Sequence, residues 1–265
     1  MDSIVDRYKE SYVAFLDILG FKNMVKKEDD EKLSKYFDEV SKIIDDLKKI
    51  DRKKNIGYIV ISDSIILTIE KVSNSKNNTE ILRQICIAVS KIQKQLALNN
   101  IWLRGAISSG KTYFDEKNNQ IVGPAYIDAY LLEEDMAVYP RVILDNRIFL
   151  DLDFKSSDDF IKEINKSNRT EERYIALYDW NKNQSATNRT IQQDVLFFID
   201  YLENIVVNEE EFEQLYENIK ANIYSNTRIS SKFCWVSNYL YTIALREEYK
   251  SESSVTNMRE KLKKI

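Results

Sequence analysis

The chain has 265 residues, 43% of them apolar and 31% charged, with a formal net charge of −4. Such values belong to a globular protein long enough to bury a sizeable core, and the negative balance argues against nucleic-acid binding held by bulk charge. There is no histidine and there are only two cysteines, Cys86 and Cys234. That excludes His-based triads, Cys–His dyads, His-ligated zinc and a disulfide framework, and leaves carboxylates, Lys, Arg, Tyr or a hard cation with oxygen ligands to carry any chemistry. No apolar run approaches the roughly 18 residues of a membrane span, and residues 1–9 are too polar for a signal peptide. A cytoplasmic chain with no membrane and no nucleic-acid partner is expected.

The run Tyr12–Phe21, Tyr-Val-Ala-Phe-Leu-Asp-Ile-Leu-Gly-Phe, has the texture of a buried strand with one carboxylate, Asp17, inside it. From Glu31 to Ile50 apolar residues recur at helical spacing. Arg52–Asn55 is a polar turn into a strand hairpin, Ile56–Ile61 and Ile65–Ile69, whose tip is Ser62-Asp63-Ser64. A polar loop at Ser73–Thr79 precedes a second amphipathic helix through Ile81, Ile85, Val89 and Leu96. Ile101–Ser108 reads as a strand ending at Ser109-Gly110-Lys111, and Thr112–Val122 as a short hairpin around Lys117-Asn118-Asn119. Gly123-Pro124 opens a helix to about Ala137, with Pro where its missing N–H is harmless, and Tyr139–Asp145 forms another strand. This order predicts an α+β fold: a ferredoxin-like split βαβ core with one added crossover.

After Asn146 the pattern predicts a small helix at Asp158–Asn165, a strand at Tyr174–Trp180 and long helices at Ile191–Ile223 and Ile229–Tyr249. The expected organisation is a core at 1–150 and a mainly helical extension at 151–265 packed on it.

Asp17 and Asp63 are the residues that need explaining, because a carboxylate on a core strand is expensive without a compensating partner. In one reading both hold two Mg²⁺ or Mn²⁺ ions, with the Ile18 carbonyl as a further ligand, since Mg²⁺ sites use one or two carboxylates and substrate phosphates. In the other, each caps a turn. Arg104, mid-strand, either pairs with a buried carboxylate such as Asp17 or Asp63, or offers its planar fork to a triphosphate or base. Lys111 is a candidate phosphate contact, although Ser108–Lys111 lacks Walker A spacing. Arg141 reads as half of a structural ion pair, with Glu133 as its partner.

Phe15-Leu16-Asp17-Ile18-Leu19-Gly20-Phe21, Ser62-Asp63-Ser64, Leu103-Arg104-Gly105-Ala106-Ile107 with Gly110, Gly123-Pro124-Ala125 with Ala129-Tyr130 and Leu132-Glu133, and Tyr139-Pro140-Arg141 occur in that order. As an ordered set they resemble the class III nucleotidyl cyclase catalytic domain, and specifically the pyrimidine cyclases of the Pycsar anti-phage system. The likeness covers about Tyr12 to Asp145, with Lys232 and Trp235 a looser echo. It implies a homodimer with active sites at the interface, two metal ions held by Asp17 and Asp63, and conversion of UTP or CTP to the 3′,5′-cyclic monophosphate plus pyrophosphate, as a signal to a separate effector. Purine cyclases carry a base-reading Lys where this chain has Ile59, and an Asn and an Arg where it has Ile127 and Leu131. These departures fit a smaller base, against which the resemblance places Tyr58, although strand alternation puts Tyr58 on the face opposite Asp63. They also leave open a degenerate fold that binds nucleotide or a protein partner without turnover.

Overall fold

The computed structural model describes residues 3–50, 56–73, 75–166, 177–179, 197–249 and 252–265. Strand β1 (Lys9–Ile18) is the axis of the sheet. It pairs antiparallel with β3 (Ser64–Glu70) on one side and with β4 (Leu103–Asp115) on the other, and β2 (Ile56–Ile61) pairs antiparallel with β3. The resulting order, β2-β3-β1-β4, is that of the expected split βαβ core. Helices α1 (Phe21–Lys26) and α2 (Asp30–Ile50) connect β1 to β2, and α3 (Ser75–Leu98) connects β3 to β4. The added crossover follows: β5 (Gln120–Val122) turns back on β4, α4 (Pro124–Met136) crosses the sheet, and β6 (Val142–Leu144) lies parallel to β4.

Both faces of β1 are covered, which is why it reads as a nearly unbroken apolar run. Tyr12, Ala14, Leu16 and Ile18 belong to the main core with α2 and α3, whereas Val13 and Phe15 pack with Ile59, Ile66, Ala125 and Ala129 under α4. Gly105 lets β1 and β4 approach: a Cβ there would lie 2.4 Å from the Phe15 carbonyl oxygen. Gly123, at φ 148°, likewise has no room, with the Lys111 carbonyl oxygen 2.5 Å from any Cβ. Among the described residues no helix is long and apolar enough to cross a membrane.

Beyond α5 (Asn146–Asp151) and α6 (Ser157–Asn165) the chain returns to the sheet. Strand β8 (Phe197–Ile199) pairs with β6, and β7 (Leu177–Asp179) pairs with β8. The helical extension then consists of α7 (Glu209–Ser225), α8 (Thr227–Ala244) and α9 (Ser253–Leu262). Several expectations are corrected here. The run expected as one helix from 191 to 223 contains β8 and a 3₁₀ turn at Glu203–Val207, and its helix begins only after Asn208, whose side chain caps the Glu211 N–H. Three apolar residues, Phe197-Phe198-Ile199, are fully buried as an inner strand between β6 and β7 and not placed in a helix. The expected polar loop at 73–79 is already helical from Ser75. Strand β4 runs on to Asp115, so Ser108–Lys111 is strand and not a phosphate loop. The helix expected to reach Tyr249 ends at Ala244, and the strand expected over 139–145 shrinks to Val142–Leu144. The turn at 52–55, residues 174–176 and 180 of the expected strand, and 191–196 lie outside the described residues.

Side-chain amides tie the extension to the core. Gln214 donates to the Leu98 carbonyl at 2.8 Å, and Asn218 donates to those of Ala97 and Leu98 at 3.1 and 2.9 Å. Both lie in the last turn of α3, where carbonyls lose their helical partners, although Ala97 also accepts from the Asn100 N–H at 3.0 Å. Deeper in, Asp200 is 1% exposed. It accepts from Tyr239 and pairs with Arg246 at 2.6 Å, while Arg246 also pairs with Glu203, to which Tyr249 donates at 2.9 Å.

Candidate active site

The site forms where β1 ends. Asp17 is the penultimate residue of β1 and lies opposite Ser64 on β3 and Arg104 on β4. Asp63 sits in the β2–β3 turn, where Ser62 adopts φ 56°. Its backbone carbonyl accepts from the Ile18 N–H at 3.1 Å, which fixes the turn beside the end of β1. Beneath the turn Tyr36, on α2, donates to the Ser62 carbonyl at 3.1 Å. Burial pushes the Tyr36 phenol up, and the charges of Asp63 and Asp17 push it further.

Arg104 stands between two carboxylates. Its Nε is 3.4 Å from Asp17 Oδ2 and 2.7 Å from Glu133 Oε1. Glu133 is 3% exposed, and its Oε1, although close to Arg104, has no aligned hydrogen-bond donor. Burial raises the Glu133 carboxyl to about 7 against the restraining charge of Arg104, and Asp17 adds to the rise. Asp17 is also raised, by burial first, with Arg104 opposing and Asp63 reinforcing the shift. The ammonium of Lys232, on α8, is within electrostatic reach of the same three groups; burial and Arg104 lower its pKa, against Asp17 and Glu133.

The structure thus brings Asp17, Asp63 and Arg104 together, with the Ile18 backbone beside them. It does not bring Tyr58 or Lys111. Tyr58 packs against the main core, on the face opposite Asp17, as alternation along β2 requires. Lys111 is exposed farther along β4, opposite Glu10, about 23 Å from Arg104 at the usual strand rise. The ion pair expected between Glu133 and Arg141 is replaced by Glu133–Arg104. Arg141 is 1% exposed and lies over Trp235 at 5.0 Å, with Tyr139 and Phe198 at 5.4 and 5.5 Å. Cation–π packing of this kind seats α8 on the core.

Glu133, Lys232 and Tyr36 were not picked out as site residues from the chain alone. A signal existed for Glu133: Ala125, Ala129 and Glu133 recur every four residues, so the acid shares a stripe with two small residues pressed on the sheet. Lys232 had only the looser echo of the resemblance, because its position follows from packing of the extension.

No protein-family model matches the chain. No curated protein matches it either. Among solved structures, the chain is similar to the adenylyl cyclase CyaB from P. aeruginosa, at 16% sequence identity and a TM-score of 0.42, over 72% of this chain and 93% of that one.

Among the described residues no group of three or more His, Cys, Asp or Glu is placed to hold a metal ion. The pair Asp17 and Asp63 nevertheless suits a hard divalent cation. Two oxygen donors flank one turn, and the carboxyl of Asp17 is held above its ordinary range partly by its neighbour's charge, a repulsion that a cation relieves. Two carboxylates suffice when phosphate and water supply the other ligands.

Glu133 gives the site a pH signature. Its carboxyl ionises at about 7 in the folded chain against 4.5 for the free group. The stability it contributes is therefore complete below about pH 4.5 and is lost as pH rises through about 7. Glu133→Gln is expected to flatten the fall in unfolding free energy across that window. Denaturant titrations of both proteins at pH 5 and pH 7.5 check this, and an unchanged difference between the two pH values would contradict it.

Proposed function

We propose that the chain is a nucleotide cyclase that converts a pyrimidine nucleoside triphosphate, UTP in preference to CTP, to its 3′,5′-cyclic monophosphate and pyrophosphate. The observation that carries this reading is the convergence of Asp17, Asp63 and Arg104 at one end of a β2-β3-β1-β4 sheet, on top of the ordered motifs. In the reaction the 3′-oxygen bonds the α-phosphorus, the bond from that phosphorus to the bridging oxygen breaks, pyrophosphate leaves, and the hydroxyl proton is released. Asp17 and Asp63, with the Ile18 carbonyl, would hold Mg²⁺ or Mn²⁺. A bound divalent cation supplies Lewis-acid charge for the attacking and leaving oxygens. Arg104 spends one of its five N–H donors, the Nε–H, on Asp17. A donor-only fork matches the O4 or O2 of uracil and opposes the amino group of cytosine, which favours UTP.

A homodimer belongs to the same proposal. Ile127, Tyr130 and Leu131 are 51%, 41% and 45% exposed on α4, an apolar stripe at helical spacing on the helix that also delivers Glu133. A second copy seated there would close each site from outside. A role in antiviral signalling through a separate effector, in the cytoplasm, rests on the resemblance alone.

Incubation with each of the four ribonucleoside triphosphates and Mn²⁺, with products read by mass spectrometry, is expected to yield cyclic UMP above cyclic CMP. Cyclic AMP or cyclic GMP as the main product would overturn the pyrimidine assignment. A linear or dinucleotide product would point to another two-metal enzyme. The exposed Ile127 and Leu131, apolar where purine cyclases carry Asn and Arg, favour one other reading, a nucleotide-binding module. Triphosphate binding without pyrophosphate release under any metal would establish it.

A further inference from the structure

Aromatic residues of helix α8 pack on the chain segments that precede β4 and β6, and on Phe198 of β8. Phe233 packs edge-on against Trp102 at 5.1 Å, and Trp235 stacks on Tyr139 at 5.2 Å and 10°. Trp102 immediately precedes β4, two residues before Arg104, and the Arg141 carbonyl accepts from the Gly105 N–H at 3.1 Å. Lys232 is therefore held between the two chain segments that flank Arg104, on the first half of a helix anchored by the Asp200–Arg246–Tyr239 network.

Lys232 is half-buried, and among the described residues it makes no ion pair or hydrogen bond. A part-buried ammonium without a contacting anion is destabilising by itself. The carboxylates near it are already engaged: Glu133 with Arg104, and Asp17 with Arg104 and the Ile18 backbone. What the position lacks is an anion from outside.

We propose that the helical extension is part of the site, with Lys232 supplying a cation for the phosphate oxygens of a bound triphosphate whose base faces Arg104. The identity of the full substrate rests on the cyclase reading; the contact itself does not. A compact, strongly hydrated ammonium suits phosphate as a point charge, whereas the planar fork of Arg104 suits a fixed two-point contact.

The test is calorimetric titration of the full chain with inorganic tripolyphosphate, with and without Mg²⁺, for wild type, Lys232→Gln and Lys232→Arg. Lys232→Gln is expected to weaken binding at least about tenfold, Lys232→Arg to keep most of it, and the ligand-free melting temperature of Lys232→Gln to stay level or rise. Tripolyphosphate that fails to bind wild type, or binds Lys232→Gln equally well, overturns the proposal. So does a weakening that comes with a lower ligand-free melting temperature and is not rescued by Lys232→Arg. Failure of the cyclase reading is separately visible. Lys232-dependent tripolyphosphate binding with no triphosphate cyclised would sink that reading and leave this one standing, and turnover with binding independent of Lys232 would do the reverse.

Discussion

Asp17→Ala and Asp63→Ala are each expected to lower metal-dependent turnover by roughly 10³-fold or more, since the charge stabilisation they anchor amounts to several kcal/mol. The fold should survive. Arg104 keeps its closer partner, Glu133, when Asp17 is removed, and a carboxyl that burial holds above its ordinary range is a burden on the folded chain. Without metal, the melting temperature of Asp17→Ala should match or slightly exceed that of wild type. The extra stabilisation by Mn²⁺ with nucleotide should vanish in both variants, because a ligand that no longer binds the native state cannot shift its equilibrium. Product assays and thermal melts on the same preparations check this. Full activity in either variant would make that Asp a turn cap and remove the two-metal reading.

Arg104→Met carries the largest expected effect on stability. It leaves Glu133, 3% exposed, beside Asp17 with no adjoining guanidinium. Breaking a buried pair from one side costs about 3–5 kcal/mol. The lower end applies here because Arg104 is itself 25% exposed, which corresponds to a fall in melting temperature of roughly 6–12 °C. Above pH 7 the loss should be largest, and at pH 5 it should shrink as Glu133 takes up a proton. Adding Glu133→Gln to Arg104→Met should recover most of the stability, the coupling expected of residues in direct contact. A wild-type melt for Arg104→Met at pH 8 would show that the pair is not structural. Arg104→Lys then separates the functional roles. Retained activity with the same UTP-to-CTP preference marks a phosphate contact, and a narrowed ratio marks base reading.

The chain order of the core was legible because its signals are local. The Asp63 hairpin needs only two apolar runs and a polar tip, and β2 spans the residues expected of it. Alternation even told which face Tyr58 would take. What was not legible depends on contacts between distant segments. Glu133 was expected to pair with Arg141, yet the register that sets Arg104 opposite Asp17 also sets it beneath α4. The aromatic residues of α8 read as ordinary core, and nothing in their spacing says that they would cage Arg141 and carry Lys232 to Arg104. Strand β8 was hidden because the short unbroken apolar run Val195–Ile199 has no period to tell strand from buried helix.

The amide ladder from α7 onto the end of α3 bears on the order in which the chain is made. A nascent chain that has emerged only as far as Leu144 carries Asp17, Asp63 and Arg104, but the Ala97 and Leu98 carbonyls still lack Gln214 and Asn218. The free side of β6 still lacks β8, an edge open to the wrong neighbour. Lys232 does not yet exist. During synthesis the carboxylates are thus assembled well before α8 docks, so a prematurely terminated product would be a template for misassociation.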